Sequence, residues 1–99
     1  MNIQAMMKQA QQIQKEMMKA KDEIDKTIYT GTSNFVTVEL YGNKKVNKVT
    51  FDKSAMTDLD DLDILEDLLV VAMNEAINKI DKDTEQKLGK YTQGMPGLF

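Results

Sequence analysis

The apolar positions at the start of the chain fall at Ile3, Met6, Ala10, Ile13, Met17, Ala20 and Ile24, in alternating steps of three and four. That rhythm is the a/d seam of a helix that packs against another helix. No Gly or Pro interrupts it, so a single helix from Ile3 to Lys26 is expected, roughly 36 Å long at 1.5 Å per residue. The stripe is narrow and long, which favours helix–helix pairing over a helix lying flat on its own domain.

Residues 27–52 change period. Ile28-Tyr29-Thr30 is a short β-prone run that Gly31-Thr32-Ser33 is expected to end. Residues 35–41 alternate, with Val36, Val38 and Leu40 on one face and Thr37 and Glu39 on the other. Gly42-Asn43 is the signal of a two-residue hairpin turn of type I′ or II′. Residues 44–52 then return as a strand with Val49 and Phe51 on one face, and Val46 falls out of that alternation as a candidate bulge. The stretch reads as a three-stranded antiparallel meander.

Residues 54–57 turn the chain. Asp58, Asp60 and Asp61 are capping candidates at the positive end of a second helix over residues 60–91. Its apolar face carries Leu62, Leu65, Leu69, Ala72, Ala76, Ile80 and Leu88, widened by Leu68, Met73 and Ile77. Gly89 is expected to weaken the helix near its end, and residues 93–99 read as a tail beyond it. The pattern gives an α+β fold of order α-β-β-β-α, one domain over residues 1–99, without internal repeats. At this size a partner subunit helps to bury enough surface.

Charge changes the picture. The 13 basic and 16 acidic residues sum to −3, a poor global match to nucleic acid, yet the charges are segregated. Residues 1–15 contain Lys8 and Lys15 and no acid; residues 86–99 contain Lys87 and Lys90 and no acidic side chain. Residues 57–67 hold six acids and no base. If the two helices fold back antiparallel, both chain ends form a cationic pole far from the sheet. Lys79 and Lys82 extend that side inward, diluted by Asp81, Asp83 and Glu85. On the first helix Lys8, Lys15 and Lys19 stand opposite the seam with Gln4, Gln11 and Gln12. Lysine can meet phosphate, and glutamine can bond phosphate or base edges, although any solvated helix shows such a face. The helix N-terminus adds backbone donors.

Other clusters have plainer readings. The acidic run could chelate a hard cation, but it lacks the spaced loop and turn glycine of an EF-hand, and helix capping with solvation accounts for it better. Lys44, Lys45, Lys48 and Lys53, beside Tyr41, could form a stacking and phosphate surface for single strands. Protection of an edge strand is the preferred reading. The eight methionines, Met6, Met7, Met17, Met18 and Met73 among them, read as core or interface filler, with a soft peptide groove as the alternative.

Several segments, taken in order, resemble the YbaB/EbfC family of bacterial nucleoid-associated proteins. They are Met6-Met7-Lys8-Gln9-Ala10-Gln11-Gln12-Ile13-Gln14, Phe35-Val36-Thr37-Val38-Glu39-Leu40-Tyr41-Gly42, Leu65-Glu66-Asp67-Leu68-Leu69-Val70-Val71-Ala72-Met73-Asn74-Glu75-Ala76 and the closing Met95-Pro96-Gly97-Leu98-Phe99. The resemblance implies a homodimer whose sheets associate centrally and whose helices project as paired arms. It also implies binding to double-stranded DNA in the cytoplasm at the nucleoid, effects on gene expression, and contacts from both terminal helices. On that basis the candidate DNA-binding residues are Lys8, Gln12, Lys15, Lys19, Lys82, Lys87 and Lys90. The chain departs from the family in having no arginine, which removes bidentate readout of guanine, and in a glycine-poor loop at residues 31–34.

The absent residue types narrow the chemistry. With no cysteine or histidine, disulfides and Ser–His or Cys–His catalysis are excluded, and a zinc or transition-metal site is not expected. Acids gathered on a solvated helix start do not make a general acid–base pocket, so an enzyme is not expected, nor a cofactor, a metal or a small-molecule substrate. The longest apolar run, residues 68–73, is far below a membrane span, and no secretion signal is read at the N-terminus. Two alternatives remain: a prefoldin-like chaperone that holds unfolded chains at its helix tips, and an adaptor that binds a repair or replication protein.

Overall fold

The computed structural model describes residues 2–92, so the tail expected at residues 93–99 lies outside the described residues. Helix α1 spans Ile3–Lys26, and its N-cap Asn2 accepts the Ala5 amide at 3.2 Å. Strands β1 (Ile28–Ser33), β2 (Val36–Tyr41) and β3 (Val46–Phe51) form an antiparallel sheet in the order β1-β2-β3. A 3-10 turn at Lys53–Ala55, a single turn α2 (Asp60–Asp63) and the long helix α3 (Leu65–Thr92) complete the chain. The α-β-β-β-α order is the one the periodicities predict.

The core follows the alternation of β2. Val36, Val38 and Leu40 are almost wholly buried, together with Tyr29 and the α3 residues Ala72, Ala76, Ile80 and Leu88. Each buried Val, Leu or Ile side chain contributes about 1.5–3 kcal/mol through removal from water, and each alanine methyl less. Helix α3 packs on β1 and β2 and runs antiparallel to β1. Tyr29 reaches Asp83, the Thr30 carbonyl meets Lys79, and the Thr32 amide meets Glu75. Lys79 Nζ donates to Thr30 O at 2.7 Å, Thr32 N–H donates to Glu75 at 3.3 Å, and the two side chains pair at 3.4 Å. Outward backbone groups on the free edge of β1 are thereby covered.

Four local expectations are corrected. Gly31 does not end β1; the strand runs on to Ser33. Glycine is required there because a Cβ would sit 2.0 Å from the Ala72 carbonyl oxygen and 2.6 Å from the Ala76 nitrogen. The two-residue turn falls instead at Asn34-Phe35, with Asn34 at φ 52°, between the paired Ser33 and Val36. The Gly42-Asn43 hairpin closes as a three-residue loop that includes Lys44 at φ 70°, with Tyr41 N–H bonded to Lys45 O at 2.9 Å. Finally, the helix expected over residues 60–91 is broken at Ile64 into α2 and α3. Asp61 turns back to accept the Thr57 and Asp58 amides at 2.7 and 3.1 Å, capping a separate first turn. The bulge foreseen at Val46 is present: Glu39 pairs with Lys48 and Leu40 with Val46, so Asn47 is the extra residue. Helix α3 continues through Gly89.

The Gly31 contact yields a direct test. Gly31→Ala should lower stability by about 1–3 kcal/mol, the usual cost of overpacking, because the methyl meets helix backbone rather than a movable side chain. Urea unfolding measures it, and an unchanged midpoint would show that strand and helix do not approach this closely.

Candidate nucleic-acid interface

The molecule measures 72 × 20 × 15 Å, and its length comes from α1. Only Met17, Ala20 and Ile24 of the seam pack against the core; every described residue from 2 to 16 is exposed. Ile24 and Lys21 lie beside Ile80, Thr84 and Leu88, so α1 continues the direction of β1 and runs antiparallel to α3. The described end of α3, where Tyr91 joins the core cluster, reaches only the inner part of α1. The outer half of α1 therefore projects as an arm.

Lys8, Gln12, Lys15 and Lys19 are spaced i, i+4, i+7 and i+11 on this helix. They fall within about 60° of one another and span roughly 16 Å of its axis. All four are exposed and lie opposite the seam. Among the described residues, Lys8, Lys15 and Lys19 make no ion pair, and Gln12 donates to Glu16 at 3.2 Å. Closer to the sheet the same helix neutralises itself, with Lys21 on Asp25 at 3.4 Å and Lys26 on Asp22 at 2.9 Å. Among the described lysines of α1, those without a carboxylate partner thus all lie on the N-terminal side of Lys21.

Helix α3 is different. Lys87 pairs with Asp83 at 2.9 Å, and Lys90 lies 5.0 Å from the centre of the Tyr91 ring. Lys82 makes no ion pair but shares a shallow surface with Asp81, Glu85 and Glu75, away from the flank that meets α1. The seven sequence candidates therefore divide into one continuous stripe on α1 and three separate lysines on α3. Lys44 of the hairpin is paired with Asp81 at 3.2 Å, while Lys45 and Lys48 are exposed. The acids near α2 are engaged with backbone: Asp58 accepts the Asp60 amide at 2.8 Å, and Asp61 caps as above. Among the described residues no group of His, Cys, Asp and Glu gathers to hold a metal, and no helix is long and apolar enough to cross a membrane.

The Tyr29–Asp83–Lys87 cluster was not singled out by the sequence, since 54 residues separate the first two members. Burial, then the hydrogen bond that the Tyr29 hydroxyl donates to the Asp83 carboxylate, push the Tyr29 phenol up to about 12. Asp83 is held below the usual carboxylate range by the Tyr29 hydroxyl and by Lys87. The cluster fixes the sheet to α3 and occupies Lys87.

Comparison with known proteins identifies the architecture. Residues 1–95 match the YbaB/EbfC DNA-binding family. The chain belongs to that family. A nucleoid-associated protein of Ligilactobacillus salivarius is 42% identical over 100 residues, covering 99% of this chain and 95% of the relative. One from Enterococcus faecalis is 43% identical over 99 residues, covering 98% and 94%. The crystal structure of an uncharacterized protein from Helicobacter pylori shares the fold. Its TM-score is 0.72 at 19% identity, over 95% of this chain and 99% of that one. As a YbaB/EbfC member the chain is a DNA-binding protein.

The raised Tyr29 pKa predicts alkaline behaviour. Unfolded tyrosine ionises near about 10, whereas folded Tyr29 holds its proton to about 12. Its contribution to stability is therefore complete below the unfolded value and falls as pH rises through the folded one. The stability difference between the wild type and Tyr29→Phe should shrink over that window. Denaturation measured on both sides of it checks this, and a pH-independent difference would contradict the Tyr29–Asp83 contact.

Proposed function

We propose that this chain is a nucleoid-associated protein that acts as a homodimer. Each α1 arm grips the phosphate backbone of double-stranded DNA, with little sequence preference. The observation that carries the reading is the stripe of Lys8, Lys15 and Lys19, exposed and without carboxylate partners among the described residues, the first two on the arm that stands clear of the body and Lys19 at its base. A chain of net charge −3 can hold DNA only where its cations are locally unopposed, and this stripe is such a place. Gln12 adds a polar contact in the same line. Lys82, Lys87 and Lys90 of α3 are secondary contributors, and Lys87 must share its charge with Asp83. With no arginine to read guanine, phosphate contacts dominate, which suits coating of the nucleoid and broad effects on gene expression.

The dimer reading rests on an uncovered apolar strip. Val46, Val49 and Phe51 stand opposite Leu40, Val38 and Val36, on the sheet face that α3 covers at β1 and β2. Val46 and Val49 nevertheless remain 54% and 39% exposed, and Val70, on the flank of α3 opposite Glu75 and Lys79, is 58% exposed. A second subunit seated on this strip would bring the two sheets to the centre and leave the arms outermost.

Two measurements test these claims. Affinity for duplex DNA should fall steeply with salt, with a log–log slope of about −5 if six lysines per dimer meet phosphates. Changing Lys8, Lys15 and Lys19 together to Ala should flatten that slope and weaken binding on all sequences alike; unaltered affinity would move the contact elsewhere. Val49→Asp, at a half-exposed position that tolerates charge in a folded monomer, should halve the mass measured in solution. The same should follow from Val70→Asp, and unchanged masses for both would refute the strip as the dimer contact.

A further inference from the structure

We propose that the outer half of α1 is a self-docking surface whose occupant is the same stretch of a second copy of this chain, running antiparallel. The seam there is fully formed and has no partner within the described residues: Ile3 is 67% exposed, Met6 53% and Ile13 39%, with Ala10 exposed between them. It continues without a break into Met17, Ala20 and Ile24, which the chain's own core covers. An apolar surface that extends past its intramolecular partner in unchanged register is built for a further helix.

The spacing points to the helix's own copy. From Ile3 to Met6, Ala10 and Ile13 the steps read three, four, three, the same in either direction. Two such helices laid antiparallel place Ile3 against Ile13 of the copy and Met6 against Ala10, setting large beside small at the middle. Charge agrees. Between residues 2 and 16 the only charged side chains are Lys8, Lys15 and Glu16. The two lysines point away from the seam, and Glu16 is held by Gln12. The flanks are Gln9, Gln14 and Met7, so identical copies meet without repulsion. Four seam residues per helix fall short of the about 1,000 Å² that a stable free-standing complex buries. The contact is therefore weak in isolation and becomes effective where copies are held side by side. Because the lysine stripe faces the other way, an arm can hold DNA and a neighbouring arm together. Resting on the proposed DNA reading, this would join dimers arm to arm and make coating cooperative.

The chain has no cysteine, so introduced thiols are unambiguous. Met6→Cys and Ala10→Cys chains, mixed at high concentration under oxidising conditions without DNA, should crosslink to each other. The mixed product should exceed either variant's product with itself and that of an outward Lys15→Cys control. No excess, or preferred Met6→Cys self-crosslinking as in parallel arms, overturns the proposal whatever the DNA results. For the cooperative consequence, Ile13→Glu should retain affinity for a duplex that accommodates one dimer and lose the sigmoidal rise on long DNA. A rise as steep as the wild type's removes that consequence.

Discussion

The contact between Gly31 and the Ala72–Ala76 segment sets the spacing of the whole body. Three small residues, one on the strand and two a helical turn apart, let backbone approach backbone, and only at that distance do the polar contacts beside it close. Lys79 then reaches the Thr30 carbonyl and Glu75 the Thr32 amide. The same closeness brings the phenol of Tyr29 onto Asp83. A single helix about 10 Å across can cover only two strands spaced about 4.8 Å apart. Its position over β1 and β2 is what leaves β3 uncovered, so the same small-residue contact both completes one part of the core and withholds cover from another.

Charge is organised by distance from that body. Near the sheet nearly every lysine on a helix has a carboxylate within reach: Lys21, Lys26, Lys79 and Lys87 are all paired. Such exposed pairs add little stability, on the order of 0–1 kcal/mol each. Their consequence is electrostatic, since they quench the local field. Along the arm the one acid, Glu16, sits at the edge of the lysine face and is bonded to Gln12 rather than to a lysine. A molecule with an anionic total can in this way carry a continuous cationic line on one helix face.

Much of this was legible in the sequence, and the reason is periodicity. The limits of α1, the inward set Val36, Val38 and Leu40, the stripe Ala72-Ala76-Ile80-Leu88 and the bulge at Val46 all follow from steps of two, three and four. What failed was the reading of glycine. Gly31 looked like a turn residue, but its missing side chain serves a close approach between segments some forty residues apart, which no local pattern reveals. Gly42 misled for the same reason: a Cβ there would lie 1.9 Å from the Ile24 carbonyl oxygen, and the positive φ belongs to Lys44 instead. The lysine stripe was visible as a helix face. Which lysines carry carboxylate partners was not, because i,i+4 neighbours such as Lys87 and Asp83 pair only when their rotamers and surroundings allow.

The seat of Gly42 against the end of α1 has a mechanical meaning. The hairpin loop touches the helix at Ile24, and the Gly42 amide bonds the Thr27 carbonyl at 3.0 Å, so the angle at which the helix leaves the sheet is set at its root. The free stretch of residues 2–16, roughly 22 Å long, magnifies small rotations at its base, and a tilt of about 5° carries its far tip by about 2 Å. That is more than half of the about 3.4 Å rise between neighbouring base pairs. The bearing of the arm is thus set at a joint the size of one missing methyl group, roughly 24 Å along the helix axis from Lys8 near its free end.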